Sequence, residues 1–303
     1  MSITLIAVVL ALALGHAAPA LAAAVRDYDW YGRWLRWLDG RFPEGGFWRG
    51  RYGIALALAP PLLAVGLFQL AIDAPLLGLA GLVFAVAVLF YSWGPRDLDV
   101  DVEAIMQARD PDARRAAAAA LWPDPAQVSL EPPALVAAVL GSAQRRWFGV
   151  LFWFLLLGPF GALLYRLSAL AAEGPLASPL PADTAAGARR LHALLDWPVA
   201  QLMTLSMALV GDFDTVIGAW KDHGGAMFRL DAGFLAAAAR ASVKSDLADE
   251  AQDYVEDGVA GATALVQQLG ELPELRDAMS LAWRILLLWL AVLALFVLAG
   301  WVS

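Results

Sequence analysis

The stretch from Trp147 to Arg166, WFGVLFWFLLLGPFGALLYR, decides how the whole chain is read. It carries no charged side chain before Arg166. A helix over 147–165 would rise about 28 Å, close to the roughly 30 Å hydrocarbon core of a bilayer. Gly158-Pro159 interrupts it. Proline removes an amide donor and collides with the preceding turn, so freed backbone at membrane depth needs partners from protein or water. Arg166 follows directly, and a cation ending an apolar run either reaches for the interface or faces a polar site. Gly158, Pro159, Gly161, Tyr165 and Arg166 are therefore ligand-binding candidates.

Outward from this stretch the apolar pattern repeats. Ile3–Val25, Ile54–Ile72, Pro75–Trp93 and Ile285–Val302 are further runs of membrane length, and only Asp73-Ala74 separates the second from the third, as in a tight hairpin. Pro198–Gly211 is shorter and meets Asp212 and Asp214, so it reads as a re-entrant, interfacial or half-helical segment. The first run resembles a signal peptide in its APALAA stretch, but lacks a preceding basic residue and is long for one, which favours a retained span. Over all 303 residues, 60 % are hydrophobic and 17 % charged, against roughly 45–50 % and 25 % in soluble domains. Tryptophans near the ends of these runs, Trp30, Trp93, Trp147 and Trp301, suit an interfacial belt. No segment shows sustained period-two alternation, so the expected fold is all-α. It is a polytopic helical membrane protein with broken central helices and cytoplasmic helical segments, and its lipid partner is the bilayer.

Five segments follow. Residues 1–93 form a three-span unit and 94–146 a cytoplasmic helical loop; 147–218 holds broken or re-entrant membrane segments, 219–280 a helical polar segment, and 281–303 the last span. Arg26, Arg33, Arg36, Arg41, Arg49 and Arg51 fall between spans one and two. Arg96, Arg109, Arg114, Arg115, Arg145 and Arg146 follow span three. The excess of basic residues places both loops in the cytoplasm and the N-terminus in the periplasm. Within the first long loop, Asp110-Pro111 breaks two helices, with Asp112 placed to cap the second.

The chemistry that can be excluded is considerable. A net charge of −8 offers no basic surface for nucleic acid. No cysteine is present, and His16, His192 and His223 are too few and scattered for a histidine metal site. Neither lysine follows glycine as a phosphate loop requires, and no GxSxG or HExxH motif occurs. The acids between Asp246 and Asp257 lack calcium-loop spacing and read as a solvated helix face. What remains are polar groups where membrane burial is costly: Arg166, Asp196, Asp212, Asp214 and Arg284. If the segments ending at Arg166 and starting at Asp196 are neighbours, these two residues are expected to pair beside the broken helix.

Several of these residues carry a resemblance. Asp97-Leu98, Ala108-Arg109-Asp110-Pro111-Asp112-Ala113-Arg114, Arg146–Phe154, Gly158–Arg166 and Leu194-Leu195-Asp196-Trp197-Pro198-Val199-Ala200 together resemble the AmpE-like inner-membrane proteins of the AmpE/CobD/CbiB superfamily. Asp231-Ala232-Gly233 sits where the cobalamin branch has Asn-Ala-Gly. The resemblance covers almost the whole chain and rests most on Gly158–Arg166. It implies a bacterial inner-membrane location and a regulatory role in β-lactamase induction and cell-wall recycling. It adds Asp97, Arg109, Asp110 and Asp196 to the ligand-binding candidates, and implies a cell-wall fragment or a regulatory protein as partner.

The cobalamin branch of the same superfamily consists of amide-forming synthases with a Glu-Asn-x-x-Asp-type motif. At the corresponding place this chain reads Gly141-Ser142-Ala143-Gln144-Arg145-Arg146, with no carboxylate. A synthase acting on another substrate with Mg-ATP, using Asp97, Asp110 and Arg166 instead, is the alternative reading. A transporter, suggested by the broken helices, is a third.

Overall fold

In a computed structural model the described residues are 2–42, 46–72, 78–94, 97–231, 233–243 and 272–299. The protein is all-helical, with no strand among the described residues. The hairpin turn at Asp73-Ala74, Arg96 and the acids from Asp246 to Asp257 lie outside them.

The chain forms two compact units: residues 1–97, 145–199 and 289–303, and residues 98–144 and 200–288. The first unit begins with α1 (Ser2–Ala17) and α2 (Pro19–Val25). Pro19 cannot donate back to the preceding turn, so the first apolar run is two helices rather than one continuous span. An amphipathic helix, α3 (Asp29–Arg41), follows, then α4 (Ile54–Ile72) and α5 (Gly78–Ser92). Tyr31, Leu35 and Leu38 recur at helical spacing on α3 and are buried. They join Trp48, Ile54, Leu58 and Leu62 in the apolar core of this unit.

Pro60 and Pro61 lie inside α4. Pro61 has no N–H for the carbonyl of Ala57, and the Trp34 indole donates to that carbonyl at 3.1 Å. Tertiary packing thus supplies the partner that proline withholds.

In the second unit, α6 (Leu98–Gln107) packs on α7 (Pro111–Ala118) and on α8 (Pro132–Ala143). Asp110 caps α7, its carboxylate accepting from the Ala113 amide at 2.7 Å. The cap is therefore Asp110 and not Asp112, because Pro111 takes the first helical position and fixes the start two residues earlier than expected.

A π-helical turn over Gln144–Phe148 leads into α9 (Gly149–Leu157), and α10 (Pro159–Ala172) follows the Gly158 break. Next is α11 (Ala182–Val210), a single helix of 29 residues that runs through Pro198. This corrects the expectation of a short re-entrant segment from Pro198. The polar residues Arg189, Arg190, His192 and Asp196 obscured the helix in the sequence, yet they fall on its first half without ending it.

The remaining helices are α12 (Phe213–Asp222), α13 (Gly233–Ser242) and α14 (Pro273–Leu298). Helices α12 and α13 pack together, and α13 packs on α8. Among the described residues, three helices are long and apolar enough to cross a membrane: α4, α11 and α14. Helices α1 and α5 are apolar but shorter, at 16 and 15 residues.

Candidate functional site

The C-terminal end of α5 organises the first unit. The last carbonyls of a helix have no intrahelical donor and carry the negative end of its dipole. Here the Trp93 amide donates to the Leu89 carbonyl at 2.9 Å, and side chains supply the donors beyond it. Arg26 gives Nε to the Phe90 carbonyl and Nη1 to that of Gly94, both at 2.9 Å. The Tyr28 hydroxyl donates to Tyr91 O at 2.5 Å, and Arg166 Nε donates to Ser92 O at 2.6 Å. Burial pushes the Tyr28 hydroxyl well above the usual phenol range, so it stays a donor.

Arg166 is 4 % exposed and Arg26 8 %. Neither reaches for an interface. Both guanidiniums point at carbonyl oxygens, and Arg26 also lies over the Phe90 ring at 4.7 Å. Arg166 Nη2 approaches the Arg146 carbonyl at 3.4 Å, and the Gly94 amide donates to the same oxygen at 3.2 Å. That carbonyl belongs to the π turn, where the regular i→i+4 ladder is displaced.

Beside this cap, Tyr165 of α10 donates its hydroxyl to Asp196 Oδ1 of α11 at 2.5 Å. The expected Arg166–Asp196 pair is not the arrangement found: consecutive residues on α10 are turned about 100° from each other, so Tyr165 meets Asp196 while Arg166 turns to α5. His192, one helical turn before Asp196, places Nε2 at 3.4 Å from Asp196 Oδ2. That nitrogen makes no hydrogen bond there. His192 Nδ1 lies 3.4 Å from Ser168 Oγ, whose hydroxyl donates to Tyr165 O at 2.8 Å. Tyr165, Ser168 and His192 are all buried.

Three glycines make the arrangement possible. A Cβ on Gly149 would collide with the Tyr165 ring, so only glycine lets α9 and α10 close around that phenol. Gly158 has φ +66°, a left-handed conformation that ends α9 and starts α10. The break is sealed from α4, because Gln69 Oε1 accepts from the Phe160 amide at 3.0 Å and Gln69 Nε2 donates to Leu157 O at 3.3 Å. Gly161 permits the close approach of the Trp153 carbonyl.

The sequence candidates thus divide. Tyr165, Arg166, Asp196 and the Gly158-Pro159-Gly161 break belong to the first unit, with half-buried Asp97, whose charge acts on Arg26. Arg109 and Asp110 are exposed residues of the second unit, where Asp110 is a helix cap. Asp212 likewise caps α12, accepting from the Thr215 amide at 3.0 Å. Asp214 is exposed in the first turn of that helix, and Arg284 donates to the Val210 carbonyl at 3.4 Å.

Sequence reasoning missed Arg26, Tyr28, Gln69, Ser168 and His192. A signal existed for Gln69, the one polar side chain within Ile54–Ile72. Among the described residues, no group of three or more His, Asp or Glu side chains gathers as a metal ion requires. Compared with protein-family models, with curated proteins and with solved structures, the chain matches none.

Proposed function

We propose that this is a multi-pass protein of the bacterial inner membrane, with its N-terminus in the periplasm, that acts as an AmpE-like regulatory or sensor protein in β-lactamase induction and cell-wall recycling. Its partner on this reading is a cell-wall fragment or a regulatory protein. One observation carries the proposal. Two separate segments that resemble the AmpE/CobD/CbiB superfamily, Gly158–Arg166 and Leu194–Ala200, meet through the 2.5 Å bond between Tyr165 and Asp196.

The distribution of polarity supports the membrane part. Leu63, Leu67 and Leu70 on α4, Leu79 on α5, and Leu295 and Leu298 on α14 are each 60 % or more exposed. Arg26, Arg166 and His192 are buried inside. An apolar exterior over a hydrogen-bonded polar interior suits lipid as the solvent. The arginine-rich segment from Arg26 to Arg51 then faces the cytoplasm, as the positive-inside bias requires.

The geometry favours this reading over the synthase alternative, because Asp110 is engaged as a helix cap and Arg166 by two carbonyls. Thermal unfolding of the detergent-purified protein separates the two. A ligand at 100 times its dissociation constant adds about 2.7 kcal/mol to stability. The regulatory reading expects no such shift with Mg-ATP; a shift lost in Asp97→Asn would support the synthase instead. The direct test is β-lactamase induction in cells whose only copy is Asp196→Asn, with the amount in the membrane fraction matched to wild type. Impaired induction is expected.

A further inference from the structure

Helix α3 and the proline-bearing half of α4 enclose an open groove of about 570 Å³, lined by Trp30, Arg33, Trp34, Trp37, Pro60 and Pro61. Its volume is within the range of small-molecule sites. The lining is aromatic and aliphatic except for one cation. We propose that this groove binds an anionic phospholipid, with the phosphate on Arg33 and one acyl chain on the tryptophan and proline surfaces. The inference rests on the membrane reading above.

The walls are fixed before any ligand arrives. The Trp34 indole N–H is held by Ala57 O, and that of Trp30 donates to Tyr91 Oη at 2.5 Å. Trp34 and Trp37 stack with centroids 5.1 Å apart and planes 12° from parallel. Both inner indoles thus spend their donors inward and leave ring faces to the groove, a preorganised apolar surface that costs little to order.

The exposed face of α4 continues the groove. Pro60, Leu63, Leu67 and Leu70 are spaced as one helical stripe, and all four are exposed. From Pro60 to Leu70 the helix rises about 15 Å, half of a roughly 30 Å hydrocarbon core and thus one leaflet. The groove at one end and the stripe beyond it therefore match a single acyl chain running inward from the headgroup level.

Charge selects the headgroup. Arg33 and Arg36 are exposed on α3. Of the nearby acids, Asp39 is met by Arg49 at 3.3 Å and by the Trp48 indole, also at 3.3 Å. Arginine presents a planar fork suited to phosphate oxygens, and tryptophan favours the headgroup region. A basic amphipathic helix of this kind lies in the interface, on the face turned to anionic lipid.

The test uses the full chain in phosphatidylcholine nanodiscs with and without a minor fraction of phosphatidylglycerol, reading lipid retained after detergent extraction by native mass spectrometry. Retention of phosphatidylglycerol over phosphatidylcholine is expected. It should fall about five-fold in Arg33→Gln, from the loss of one surface charge, and be kept in Arg33→Lys. Trp37→Ala, at an exposed ring, should lower retention of both lipids. Equal retention of the two lipids by wild type, or equal protection by soluble glycerol phosphate, overturns the proposal. A chain that enters nanodiscs normally but shows no preference refutes only the lipid site; a chain that does not enter them refutes the membrane reading itself.

Discussion

The Tyr165 hydroxyl donates a 2.5 Å hydrogen bond to Asp196 Oδ1, joining α10 to α11 inside the first unit. A hydrogen bond to a charged group contributes about 1.5–3 kcal/mol. Tyr165→Phe should therefore lower stability by an amount in that range, measured by thermal unfolding in detergent. Asp196→Asn keeps an acceptor for the phenol and should cost less.

Arg166 ties α10 to the end of α5. Arg166→Met leaves the Ser92 carbonyl, at a buried helix terminus, without its donor, and each buried polar group so orphaned costs about 1–3 kcal/mol. Arg166→Lys keeps the charge but not the fork, and should lie between the two in unfolding temperature.

Gln69 closes the break at Gly158 from both sides. Gln69→Leu removes a donor and an acceptor together and is expected to destabilise by roughly 1–3 kcal/mol, because the Phe160 amide and the Leu157 carbonyl both lose their partner. Gln69→Glu restores only the acceptor and should recover part of the loss. Hydrogen exchange at the Phe160 amide gives the local readout.

Much of this was legible in the sequence, and what was not has a common cause. The helix α4 and the part of α14 from Ile285 onward follow from apolar length, and the break at Gly158 from Gly-Pro within such a run. The continuity of α11 was hidden because polar residues and Pro198 mark an end in sequence, whereas buried partners such as Tyr165 let the helix carry Asp196 and His192 inside. The cap on α5 was invisible because Arg26 reaches across 64 and 68 residues to its two carbonyl partners. Spacing reports only neighbours along a helix, so no local pattern announces such a bond.

Burial raises the hydroxyls of Tyr28 and Tyr31 well above the usual phenol range. An unfolded tyrosine ionises near pH 10. Below that pH both states keep the proton and the stabilisation is intact. Above it the unfolded chain releases protons that the folded chain holds, so stability must fall as pH rises. Chemical denaturation across pH 9 to 11 should show this decline, and Tyr28→Phe should lessen its slope.

On the proposed function, the Tyr165–Asp196 junction serves a regulatory membrane protein, and β-lactamase induction in cells carrying Asp196→Asn as the only copy tests this. With the variant present in the inner-membrane fraction at wild-type level, impaired induction is expected. Full induction under those conditions would contradict it.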